Sequence, residues 1–211
     1  PSQAEIGRFY LPLALTSVLT LGVNPVMTFF VSHARLALSS LAVMPVIGTL
    51  SFVFRAPAIA FQEAGIALLD EGEDAPAALR RFALRLGTCL ALALGLLAAT
   101  PLAGAWLRGI AGLEPELAAF AITPLRILVA MPVVEAILAL QRAILVVRRR
   151  TRLVTLSTVL EVVVLTGALA GGVFALGVVG AVAGCAALLV GRSAASAFLV
   201  PATGVARRER Q

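Results

Sequence analysis

Residues 153–200 read LVTLSTVLEVVVLTGALAGGVFALGVVGAVAGCAALLVGRSAASAFLV, and Glu161 and Arg192 are the only charges among them. A helix needs about 20 mostly apolar residues to cross a bilayer. The stretch therefore holds two spans, joined by a tight turn near Leu176-Gly177. Glu161 stands 15 residues before that turn and Arg192 16 after it. An antiparallel hairpin brings the two to nearly equal depth and predicts an ion pair between the last two spans. Such a pair adds little net stability, because desolvation offsets the attraction.

The rest of the 211-residue chain has the same character. It is 60% hydrophobic and only 13% charged, with a mean hydropathy of +1.02. An ordinary soluble domain carries about 25% charged residues. This composition predicts an all-α integral membrane protein with six transmembrane helices, at about 9–32, 38–69, 86–107, 122–147, 153–174 and 177–200. The acidic run Asp70-Glu71-Gly72-Glu73-Asp74 reads as a solvated loop, residues 79–85 as an amphipathic approach to the third span, and 108–117 as a polar connection. Residues 201–211 read as a basic tail.

All 17 basic residues are Arg; there is no Lys. Six spans put Arg8, Arg80, Arg81, Arg148, Arg149, Arg150, Arg152, Arg207, Arg208 and Arg210 on one side and only Arg35 and Arg108 on the other. Five or seven spans would erase this bias. Cytoplasmic loops collect basic residues, so the pattern predicts a multi-pass protein of the plasma (inner) membrane with both termini cytoplasmic. The chain opens Pro1-Ser2-Gln3 without an initiator Met, which suggests part of a longer polypeptide.

Several chemistries lack their residues. Without Lys there is neither a P-loop ATPase nor a Schiff-base enzyme. His33 is the only His, so histidine-based zinc sites and Ser–His catalysis have no partners. Cys89 and Cys185 lie in apolar stretches without CxxC spacing and read as buried thiols. Nothing aromatic interleaves with the arginine clusters as nucleic-acid binding would require. The reading is of a non-enzyme, with no metal and no cofactor beyond proton or sodium coupling.

Seven charges fall within the expected spans: Arg55, Glu63, Arg126, Glu135, Arg142, Glu161 and Arg192. Each costs roughly 2.5–3.5 kcal/mol at a helix centre on insertion scales, so such residues tend to be functional. Arg126 and Arg142, near span ends, have a second reading as side chains that reach the headgroups, and so does Glu63. Arg55, followed by Pro57, and Glu135, three residues after Pro132, lie near span midpoints, where a buried ion pair is the alternative to a functional group. Arg55, Glu135 and Arg142 are the candidate substrate-binding residues; Glu161, Arg192 and Glu63 are candidates for coupling or gating. Gly167-xxx-Gly171 and Gly180-xxx-Gly184 permit close helix approach. Asn24-Pro25 reads as a polar kink or an interhelical hydrogen bond.

Pro12-Leu13-Ala14-Leu15 opening the first span, Phe30-Val31-Ser32 closing it, Arg55-Ala56 in the second and Pro124-Leu125-Arg126-Ile127 opening the fourth give the chain a family likeness. In this order it resembles the multidrug/oligosaccharidyl-lipid/polysaccharide (MATE-like) transporter superfamily, closest to the C-terminal half of the progressive ankylosis protein family. The resemblance covers most of the chain. It implies one six-helix lobe of a secondary-active exporter or antiporter, moving small anionic solutes by alternating access. The partner would be a preceding N-terminal lobe or a second copy. A lipid or lipid-linked sugar flippase is the alternative within transport, and a non-transporting membrane scaffold the alternative outside it.

Overall fold

The computed structural model describes residues 21–69 and 75–204, and every extended element among them is a helix. In chain order these are α1 (Leu21–Ser32), α2 (Ala37–Leu68), α3 (Ala75–Ala99), α4 (Pro101–Gly109), α5 (Pro115–Ile127), α6 (Met131–Val147), α7 (Thr151–Ala170) and α8 (Gly180–Gly204). Among the described residues five helical stretches are long and apolar enough to cross a membrane: Ala37–Leu68, Pro76–Ala99, Pro115–Val147, Thr151–Ala175 and Gly180–Thr203. Of the expected first span only α1 falls within the described residues. The acidic loop and the end of the basic tail lie outside them, and the first four residues of that tail continue α8.

The third span departs from the expectation of 86–107. Its helix starts at Ala75 and stops at Ala99, because Thr100 turns extended (φ −104°, ψ 165°) ahead of Pro101. Proline has no amide hydrogen to continue the ladder, and it restricts the residue before it. The carbonyls freed at this end find side chains instead: Thr100 Oγ1 donates to Leu97 O (3.4 Å) and Arg126 Nε to Ala98 O (3.4 Å). Residues 79–85 belong to the body of α3 and are not a separate approach.

Proline also shapes the fourth span. Pro132 cannot donate to Leu128 O, and the amide of Met131 takes that carbonyl in a tighter bond, so Leu128–Ala130 winds as a 3₁₀ turn between α5 and α6. By contrast α2 runs as one continuous helix through Pro45 and Pro57. At about 1.5 Å per residue it is roughly 48 Å long, well beyond the ~30 Å hydrocarbon core.

Two tight turns close the last hairpins. Arg149, at φ 56°, takes the left-handed position usual for Gly, and the amides of Arg149 and Arg150 return to Val146 O (2.9 Å) and Leu145 O (2.8 Å). This is a Schellman closure of α6. At the other end α7 widens into a π-helical turn over Gly171–Ala175, and Gly177 reverses the chain at φ 59°. The turn thus sits where the hairpin reading put it. A backbone bridge joins Arg35 to Val179, and Gly180 N donates to Arg35 O at 3.1 Å, clipping the α1–α2 corner to the α7–α8 corner.

α6 is the central helix, packed against α2, α3 and α8, while α7 lies along α8. Ile47, Leu50, Leu94, Leu125 and Met131 form the largest apolar cluster, and Leu138, Leu145, Ala195 and Leu199 form another between α6 and α8. Large apolar side chains also lie on the outside of the membrane-length helices: Leu92, Leu96, Val163, Val190 and Phe198 are all exposed. Exposed apolar side chains in such number on helices of this length suit a lipid environment. Gly87 and Gly191 lie against the backbone of a neighbouring helix: a Cβ on Gly87 would lie 2.9 Å from Val133 Cα, and one on Gly191 3.0 Å from Glu161 O. Gly180 and Gly184 press on neighbouring side chains, whereas among the described residues nothing lies within 4 Å of a Cβ on Gly167 or Gly171. Only the second of the two small-residue spacings is therefore a packing contact.

Candidate functional site: an arginine–glutamate ladder beside a cavity

Four helices each carry a charge to one place. Arg55 (α2) donates from Nη2 (2.7 Å) and Nε (3.1 Å) to Glu135 Oε2 (α6). The other oxygen of Glu135 accepts from Arg192 Nη1 (α8) at 3.3 Å. Arg192 Nε lies 2.9 Å from Glu161 Oε1 (α7), an ion pair whose angles do not make a hydrogen bond. Glu161 Oε2 then meets Arg142 Nη2 (α6) at 3.5 Å. The result is an alternating chain of five groups, Arg55–Glu135–Arg192–Glu161–Arg142.

Helical periodicity explains the convergence. Glu135 and Arg142 are seven residues apart, two turns, and share one face of α6. Gly191 removes the side chain that would hold α7 away from α8, and so lets Arg192 reach Glu161. Depth matches too. Arg55, Glu135, Glu161 and Arg192 lie between ten and thirteen residues from the helix ends nearest the arginine-rich turn. That is roughly 15–20 Å along the axes, close to half a hydrocarbon core.

The carboxylates are nearly sealed, with side chains 7% and 8% exposed, while the arginines keep 16–20%. The arginines owe their exposure to a cavity of about 890 Å³: Arg55, Arg142 and Arg192 line it, together with Glu161, Gln62 and Thr158. Glu135, expected to bind substrate, is not among the lining residues; it sits behind them and holds Arg55 and Arg192 in place. Glu161, expected only to couple or gate, does face the cavity. Three guanidiniums against two carboxylates leave one positive charge in excess.

Glu63 does not join this group. Arg55 and Gln62 are two turns apart and share the cavity side of α2, whereas Glu63 lies a further 100° round the helix and is exposed near its end. Arg126 likewise serves the end of α3. Asn24 lines the cavity, and its carbonyl accepts from Thr28 Oγ1 at 3.0 Å within a continuous α1.

Sequence reasoning missed one buried polar pair. Gln141 Nε2 donates to Ser196 O (3.1 Å), and Ser196 Oγ donates to Gln141 Oε1 (3.0 Å). The available signal was spacing, since Ser196 follows Arg192 by one helical turn and Gln141 adjoins Arg142. Ser196→Ala leaves the Gln141 oxygen buried without that donor and is expected to cost about 1–3 kcal/mol. Thermal melts of the purified protein should show the loss, with Gln141→Leu in the Ser196→Ala background recovering most of it.

Set against known protein families, curated proteins and solved structures, the chain matches none of them.

Proposed function

We propose that the chain is one lobe of a secondary-active membrane exporter, moving small anionic solutes by alternating access, with its arginine-rich end at the cytoplasmic face of the plasma membrane. One observation carries the reading: a ladder with one excess positive charge, four of its five groups ten to thirteen residues in from their helix ends, lies along a cavity of about 890 Å³. A scaffold whose charges serve packing alone has no need to keep three guanidiniums open to a cavity. Arg55 and Arg192 attract the anion, and the ladder's links across α2, α6, α7 and α8 make helix positions sensitive to it. In such a protein a second lobe, from the same polypeptide or another copy, would close the cavity.

The test is flux into proteoliposomes carrying the protein, with labelled succinate, phosphate, a neutral sugar and a quaternary ammonium cation. Anion uptake is expected, and Arg55→Ala should reduce it by about a hundredfold, in keeping with loss of a charge-assisted hydrogen bond. Movement of the sugar or the cation alone, or unchanged anion flux in Arg55→Ala, would overturn the proposal. A second reading, a lipid or lipid-linked sugar flippase, draws on the apolar end of the cavity, where Met27, Val31, Leu41 and Met44 line it. A fluorescent anionic lipid that changes leaflet in the same vesicles, with no soluble anion flux, would select it.

A further inference from the structure

Arg142 is the least committed cation of the ladder. Arg55 makes two hydrogen bonds to its carboxylate, and Arg192 contacts both carboxylates. Among the described residues Arg142 has one ion-pair contact, at 3.5 Å, and its buried Nε–H meets no acceptor. A guanidinium presents five donors in a planar fork suited to two oxygens of a carboxylate or phosphate. A buried donor of this kind left unpaired is costly, and Arg142 lines the cavity beside Glu161. It also lies five residues from the end of α6, nearer the arginine-rich end than the other four groups.

We infer that Arg142 is the docking point for an oxyanion group, and that Glu161 is an internal counter-ion which the ligand displaces from it. This rests on the anion-carrying role proposed above and assigns its specificity. Two charged groups face Glu161: Arg142 from α6 and Arg192 from α8. Because Arg192 lies 2.9 Å from it and Arg142 3.5 Å, a ligand on Arg142 breaks the weaker link and leaves Glu161 held to α8. The charge balance agrees, since one monoanionic group neutralises the ladder. Docking therefore breaks the ion pair that ties α7 to α6. The oxyanion can belong to a free solute or to a lipid headgroup.

The test is titration of the purified protein in detergent with three probes: inorganic phosphate, succinate, and phosphatidic acid in mixed micelles. Glu161→Gln removes the competitor and is expected to tighten binding about tenfold, or to reveal it where the wild type shows none. Arg142→Lys keeps the charge but loses the fork, and is expected to weaken binding about tenfold while the protein still melts cooperatively. If Arg142→Lys does not fold, Glu161→Gln decides alone. A response confined to phosphatidic acid that follows these two variants supports the inference and puts the oxyanion on a lipid. Wild-type binding that Glu161→Gln leaves unchanged or weakens overturns the inference and leaves the anion-carrier reading standing. Silence toward all three probes in both wild type and Glu161→Gln overturns both.

Discussion

Glu135→Ala is expected to destabilise the protein by about 3–5 kcal/mol, the usual cost of removing one partner from a buried ion pair. Glu135 accepts more hydrogen bonds than any other group of the ladder, two from Arg55 and one from Arg192, and its side chain is only 7% exposed. Without it Arg55 loses its carboxylate and Arg192 keeps only Glu161, so the local charge rises from one to two positive. The net worth of the intact pair is a different and smaller quantity. Removing Arg55 together with Glu135, as Glu135→Leu with Arg55→Met, restores the original charge balance and keeps volume. The double variant should recover half or more of the loss, because apolar replacement of a buried pair is often close to neutral. Heat-induced unfolding in detergent reads both: a fall of roughly 10 °C for the single variant and a partial return for the double. A melt unchanged by Glu135→Ala would mean that water reaches the ladder freely enough to solvate the orphaned Arg55.

Gly87→Leu is the second large effect, and its cause is steric. A Cβ at this position would sit 2.9 Å from Val133 Cα, 3.1 Å from Ala136 Cβ and 3.2 Å from Pro132 O. Two of these three are backbone atoms and cannot swing aside, so α3 and α6 must separate. Two terms oppose each other, since replacing a mid-helix glycine also gains about 0.5–1 kcal/mol of backbone entropy. Overpacking costs about 1–3 kcal/mol, occasionally more, and a Leu side chain needs far more room than its Cβ alone. The steric term wins. Because α6 carries both Glu135 and Arg142, the variant should also weaken ligand binding at the ladder, although residue 87 touches none of its members. Lower melting temperature with unaltered affinity would show that α6 yields locally at Val133 and leaves Glu135 in register.

The two predictions separate what can be read along the chain from what needs its neighbours. The Glu161–Arg192 pairing was legible because a hairpin turns sequence distance from the turn into depth, and Gly177 marks the turn. Arg55 and Glu135 were legible only as misplaced charges; their partnership spans eighty residues, and nothing local specifies it. Glu63 is absent from the cavity lining because it lies about 100° round α2 from Gln62, a rotation that a count of charges along the sequence does not register. The third span was placed too late because hydropathy stays high across Thr100-Pro101, while the helix obeys the missing amide of Pro101.

Composition and periodicity alone determined that the chain is a bundle of membrane-length helices, that charge is concentrated at one end, and that a few charges lie far from either end. Those are properties of single segments, governed by the transfer of side chains out of water. Tertiary structure decided which charges meet, that Glu135 stands behind the cavity wall and Arg142 on it, and that Gly87 and Gly191 set the helix spacings. Such properties depend on the rotation and separation of helices about one another. Those are fixed by close contact between residues distant in the chain, which no single segment encodes.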